Sequence, residues 1–274
     1  MAVTAHLALM LVFLLAIGAF AGLIAGMLGV GGGIVLVPAF FYAFSTLGYD
    51  SPQLMQICLA TSLATIIVTS VRSVSAHNRK GAVDWGVLKS WAPGIALGAV
   101  AGVLVATGLK TAVLQGIFGV MGMVVGLYLG LGRASWQLAS QMPGPMGRAL
   151  LSPVVGFLSV LMGIGGGSFG VPVMTLCAVP IHRAVATASG FGVVIAVPAV
   201  VGFLFADIAP EGRPPFTVGA VNLVALVVIL VVSLQTTTWG VKLAHAMNPG
   251  PLKRFFGAFL TLVALNMLRK AAGV

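Results

Sequence analysis

A glycine-dense phrase is written twice in this chain, and it constrains the fold more than any other feature. Residues 22–38 read GLIAGMLGVGGGIVLVP, and residues 156–172 read GFLSVLMGIGGGSFGVP. Gly22 matches Gly156, Gly29 matches Gly163, the triplet Gly31-Gly32-Gly33 matches Gly165-Gly166-Gly167, and Pro38 matches Pro172, all at one offset of 134 residues. The ends of the halves echo each other too, with LQGIFG at 114–119 and LKRFFG at 252–257. Duplication within a hydrophobic chain points to an architecture of two structural repeats, the plan of many membrane transporters. The division it predicts is 1–131 for the first repeat, 132–149 for a cytoplasmic linker and 150–274 for the second repeat.

The chain is hydrophobic enough for that plan. Apolar residues make up 59% of the 274 and charged residues 7%, with a mean hydropathy of +1.15. A soluble domain carries roughly 25% charge, so this surface belongs in lipid. The expectation is a multi-pass protein of the cell inner (plasma) membrane. The formal net charge of +10 comes from scattered basic residues without an aromatic-basic pattern. It reads as positive charge in cytoplasmic loops rather than as a nucleic-acid surface. Cys58 and Cys177 lie in apolar segments with no CxxC and no Cys/His cluster, so buried free thiols are expected and no metal site. The opening apolar run, residues 7–28, lacks a basic n-region and is too long for a signal-peptide core.

About 20 apolar residues carry an α-helix across the hydrocarbon. The segments 7–28, 52–76, 86–107, 111–131, 150–164 extended backward, 184–206, 217–240 and 252–269 meet that length. The shorter pieces 34–47 and 168–179 follow directly on the glycine triplets. An all-α polytopic fold is therefore predicted, with two inverted repeats, about eight full spans and two glycine-broken re-entrant or half-helices. Each glycine in a helix interior costs about 1 kcal/mol relative to alanine. Broken backbone at membrane depth is tolerated only where protein buries it or a wet cavity meets it. Close packing through small residues suits Gly22/Gly26 and Gly98/Gly102, but suits three consecutive glycines poorly.

If each broken segment returns to its starting side, the loops with Arg79/Lys80, Arg133/Arg148, Arg183 and Lys242/Lys253/Arg254 share one side. Asp50, Lys110, Asp207, Glu211, Arg213 and Arg269/Lys270 share the other. The basic side is then cytoplasmic and both termini lie outside. Under that arrangement the halves are inverted relative to each other.

The doubled pattern G-x-x-x-G-x-x-G-x-GGG-x₄-P resembles the sulfite exporter TauE/SafE family of membrane permeases. The stretches ATSLATIIVTSVRSVSAHNRKGAVDW at 60–85 and AVATASG at 184–190 add to the likeness, which covers nearly the whole chain. The resemblance implies movement of organic or inorganic sulfur anions, mostly outward and driven by ion gradients. In one departure, the second half has Thr187-Ala188-Ser189 where the first has Thr61-Ser62. It also lacks the basic AHNRKGAVDW stretch.

A helix starting at Gly33 or Gly167 has unpaired N–H groups and a positive dipole end that attract an anion. Glycine lets an oxyanion approach the backbone. The candidate substrate-binding residues are therefore Gly31, Gly32, Gly33, Gly165, Gly166 and Gly167, with hydroxyls from Ser168, Thr61, Ser62, Thr187 and Ser189. Ser168 is favoured because it follows the triplet directly. Back-bonding to a helix carbonyl is the competing role for each hydroxyl. Arg72 is either a substrate-path residue or an interfacial anchor. The four acids of the chain form no acid/base couple in a membrane segment, and no Walker lysine follows either triplet. No enzyme, cofactor or nucleic-acid partner is expected. The partners are a small anionic substrate, membrane lipid and a coupling proton or cation, with oligomeric state open. The leading expectation is a secondary transporter of small sulfur oxyanions such as sulfite or organosulfonates. A passive anion channel and a non-transporting scaffold are the alternatives.

Overall fold

Ten helices and one short β-hairpin account for the regular structure of the computed structural model, which describes residues 12–23, 33–132, 137–246 and 249–273. In chain order they are α1 (Val12–Leu23), α2 (Gly33–Thr46), α3 (Leu54–Arg79), α4 (Trp85–Gly108), α5 (Thr111–Leu131), α6 (Pro145–Met162), α7 (Gly167–Leu176) and α8 (Ile181–Leu204). Then come β1 (Thr217–Val218), β2 (Val221–Asn222), α9 (Leu223–Ala246) and α10 (Pro249–Ala271). Helices α3, α4, α5, α6 and α8 are each long and apolar enough to cross a membrane. Helices α1, α2 and α7 and the Leu223–Thr236 part of α9 are shorter apolar stretches. Without water to bond, apolar backbone pairs its polar groups within the helix.

Helix boundaries differ from the hydropathy segments where local chemistry intervenes. Pro145 at the first helical position starts α6 before residue 150. Left-handed Gly163 (φ 62°) ends it. Helix α7 stops at Leu176 rather than 179 because Ala178 adopts φ 61° and Pro180 follows. The segment 217–240 spends its first residues on the antiparallel hairpin, in which Val218 pairs with Val221. Asn222 then caps α9, its Oδ1 accepting from the Ala225 N–H at 2.9 Å. Asp84 caps α4 in the same way through the Val87 N–H, at 3.0 Å.

Loop contacts sort the helix ends onto two faces. On one, Arg183 pairs with Asp84 at 3.3 Å, joining the start of α8 to the start of α4. On the other, the Gln53 side chain bonds Asp207 O at 3.0 Å and the Ala209 N–H at 2.8 Å. Thr111 Oγ1 there donates to Pro52 O at 2.7 Å, and Lys270 Nζ lies 4.8 Å from the Tyr42 ring centroid. This second face thus gathers the ends of α2, α8 and α10 and the starts of α3 and α5.

The long helices approach to backbone distance. A Cβ on Gly156 would stand 2.9 Å from Ala99 N and 2.0 Å from Ile95 O, so α6 lies directly on α4. A Cβ on Gly22 would stand 2.6 Å from Ser233 Cα, so α1 lies on α9 in the same manner. Gly22 and Gly156 are 134 residues apart, and so are Ala99 and Ser233. Dispersion between tightly apposed surfaces is the main attraction between helices in lipid.

Gly156→Ala should therefore lower stability by about 1–3 kcal/mol through overpacking. Gly130, in the last turn of α5, has nothing within 4 Å of where a Cβ would stand, so Gly130→Ala should be neutral or stabilising by up to about 1 kcal/mol. Thermal unfolding in detergent, followed by intrinsic fluorescence, compares the two.

Candidate functional site

The second glycine triplet forms a turn whose donors face no acceptor among the described residues. Helix α6 closes with the Gly163 N–H bonded to Val160 O and the Ile164 N–H to Ser159 O, each at 2.9 Å, the Schellman arrangement. The chain then turns through Gly165 and Gly166 into α7. Gly166 is the N-cap and offers no side chain to the helix start. The first helical bond is the Gly170 N–H to Gly166 O, at 2.8 Å. Among the described residues, no acceptor meets the N–H groups of Gly165, Gly166, Gly167, Ser168 or Phe169. The Ser168 hydroxyl is buried and has no hydrogen-bond partner either. One turn before the break, the Ser159 hydroxyl is in the same state.

Two helix starts meet at this turn. A Cβ on Gly33, the first residue of α2, would stand 3.1 Å from both Gly163 O and Ile164 Cα. The positive ends of α2 and α7 therefore converge. Gly31 and Gly32 lie outside the described residues, so Gly33 is the part of the first triplet seen at the turn. Gly165 and Gly166 are buried and Gly167 is half-buried. Helix α8 backs the turn: a Cβ on Gly166 would stand 2.3 Å from Phe191 Cβ and 2.8 Å from Ala188 O. Gly166 is thus needed for α7 to sit on α8, whatever binds nearby.

The candidate hydroxyls divide by partner. Ser62 Oγ donates to Gly163 O at 2.7 Å and ties α3 to the turn. Thr61 Oγ1 donates to Ile57 O at 2.7 Å and accepts the Asn222 N–H at 3.0 Å. Thr187 Oγ1 accepts the Asp84 N–H at 2.9 Å. Each of these threonines therefore holds the N-cap residue of a helix in the other half, α9 for Thr61 and α4 for Thr187. Ser189 Oγ back-bonds to Ala186 O at 2.6 Å. Arg72 is exposed on α3 and is not among the groups gathered at the turn. Ser168 is the one candidate hydroxyl left both buried and unpartnered. Sequence reasoning missed Ser159 and the turn-forming role of Gly163. The matched pair Gly29/Gly163 was the available signal for the latter, and nothing in the pattern marks Ser159.

Buried N–H groups without a partner cost about 1–3 kcal/mol each, and an oxyanion satisfies several at once. With no charged side chain in the set, any attraction for an anion would come from backbone dipoles alone. Among the described residues no His/Cys/Asp/Glu group could hold a metal.

A family model described as sulfite exporter TauE/SafE matches residues 14–267 of this chain. A probable membrane transporter protein of Haemophilus influenzae is 28% identical over 256 residues, covering 93% of this chain and 97% of the relative. One from Methanocaldococcus jannaschii is 23% identical over 266 residues, covering 95% and 96%. One from Bacillus subtilis is 28% identical over 184 residues, covering 60% and 67%. No solved structure matches.

Ser168→Ala removes a hydroxyl that no protein group uses. Its expected signature is unchanged or slightly raised thermal stability with anion affinity weakened by about 0.5–1.5 kcal/mol, a several-fold effect. Parallel melting curves and anion titrations separate this from a structural role, which would lower both.

Proposed function

Because the chain belongs to the sulfite exporter TauE/SafE family and is a multi-pass membrane transporter, we propose that it exports small sulfur-containing oxyanions, such as sulfite or organosulfonates, by alternating access. The carrying observation is the run of five unpartnered N–H groups and one orphan hydroxyl at the α6–α7 break. That donor set is neutral and acceptor-poor, which fits an oxyanion and disfavours a cation. The binding set is Gly33, Gly165, Gly166, Gly167 and Ser168, with Gly31 and Gly32 as the other half's contribution. Ser62, Thr61, Thr187 and Ser189 hold the frame around it, and Arg72 serves the approach.

Residues 1–131 and 150–274 act as two inverted repeats, joined by a cytoplasmic linker at 132–149. Several contacts favour this. The α1–α9 and α4–α6 interfaces repeat the motif spacing at Gly22 and Gly156. The crossed latches of Thr61 on Asn222 and Thr187 on Asp84 are equivalent under an exchange of halves. Helices α2 and α7 both start at the glycine turn, yet α2 runs to the Asp50 face and α7 to the Arg183 face. Broken helices that meet near the midplane and diverge suit a carrier that exposes one site to each side in turn. Arg79, Lys80 and Arg183 near the Asp84 face favour a cytoplasmic assignment for it.

Reconstitution into liposomes, with sulfite, thiosulfate or short sulfonates and an imposed pH gradient, tests this reading. Saturable flux that follows the gradient is expected. A non-saturating conductance replaces the carrier with a channel, and no flux of any of these anions removes the substrate class. A reporter fused after Val274 should read as external.

A further inference from the structure

Helix α2 begins at the glycine turn and ends at a cavity of about 700 Å³ on the Asp50 face. Its lining includes Phe41 and Ser45 of α2, Asp50, Thr111 and Gln115 of α5, and Lys270 of α10. Gln115 is only 4% exposed, and its amide makes no hydrogen bond among the described residues. The amide is not sealed from the cavity it borders, so it is free to bond an occupant there. Lys270 Nζ sits 5.1 Å from the Phe41 ring centroid and 4.8 Å from that of Tyr42. Lys270 is exposed, and among the described residues it pairs with no carboxylate. The starts of α3 and α5 are stitched together at the same place, by Thr111 on Pro52 and by Gln56 Nε2 on Leu109 O. Their positive ends meet there beside the negative ends of α2 and α10.

We propose that this cavity is a second oxyanion site, the outer vestibule through which the transported anion passes, with Lys270 and Gln115 as its ligands. The assignment of the anion rests on the transport reading above. Asp50 lines the same cavity, and its charge opposes residence, which keeps the site a place of transit rather than of storage. The Tyr49 phenol, also in the lining, is pushed above its usual pKa by burial and stays a neutral group. At the opposite face the end of α7 is instead covered, the N–H groups of Leu138 and Ala139 both donating to Leu176 O.

A lipid phosphate has the same chemistry as a free oxyanion, so the test separates them. Ser45→Cys places a thiol in the cavity, while the native Cys58 and Cys177 are buried and serve as background. In phosphatidylcholine vesicles, methanesulfonate should protect that thiol from a membrane-impermeant maleimide. Lys270→Gln and Gln115→Leu should each raise the half-protecting concentration about three- to tenfold, as expected for losing a charge-assisted or a neutral hydrogen bond. Asp50→Asn should lower it. Protection that appears only when phosphatidylglycerol is added makes a headgroup the occupant and overturns the vestibule. Absence of protection by either overturns the site altogether. Because protection needs no flux, a protected protein that carries no sulfur anion would sink the transport reading and leave the cavity. Transport without protection would do the reverse.

Discussion

Everything at the centre of this protein depends on one break in a helix. Between Met162 and Gly167 the backbone stops pairing with itself, and five successive N–H groups are left without acceptors among the described residues. In hydrocarbon such a segment would be expelled or would refold into a helix. It is held open here by its neighbours. Ser62 bonds the Gly163 carbonyl from α3, Gly33 abuts Ile164 from α2, and Phe191 closes on Gly166 from α8. The left-handed Gly163 supplies the bend, a conformation most side chains resist.

The price of that break is met by the packing of the surrounding helices. In lipid there is no hydrophobic drive between helices, so contact quality has to hold the bundle. Helix α6 reaches α4 at Gly156 and α1 reaches α9 at Gly22 with nearly no atoms between the backbones. Such interfaces are stiff, because closely packed atoms resist small displacements. The latches at the helix starts are different in kind. Thr61 holds Asn222 and Thr187 holds Asp84 through single hydrogen bonds, each worth about 1 kcal/mol net. Because α4–α6 and α1–α9 each join the first half of the chain to the second, the stiff contacts themselves interlock the halves, and the latches only fix the helix starts.

The cavity and the glycine turn lie at opposite ends of α2, which at about 1.5 Å per residue separates them by the length of its 14 residues. The two places differ in chemistry. The turn offers only backbone dipoles, whereas the cavity is lined by both Lys270 and Asp50. Fixed dipoles in a low-dielectric interior act more strongly than a screened charge near water.

Much of this was determined by the sequence alone. Length, hydropathy and the doubled triplets set a helical membrane protein with two broken segments, because apolar runs in lipid have few conformations open to them and glycine marks where they fail. The hydropathy segments and the shortness of α2 and α7 follow from periodicity and spacing. Tertiary structure alone decided which candidate groups were free. Ser62, Thr61, Thr187 and Ser189 carry the same hydroxyl as Ser168, yet each is committed to another backbone atom. Gly166 turned out to be required by Phe191, and Asn222 replaced the first turn of α9 with a hairpin cap. Gln115 and Lys270, unremarkable in a list of residues, became neighbours only when α5 and α10 met. Hydrogen-bond commitment depends on partners distant in the chain, and the local pattern holds no record of them.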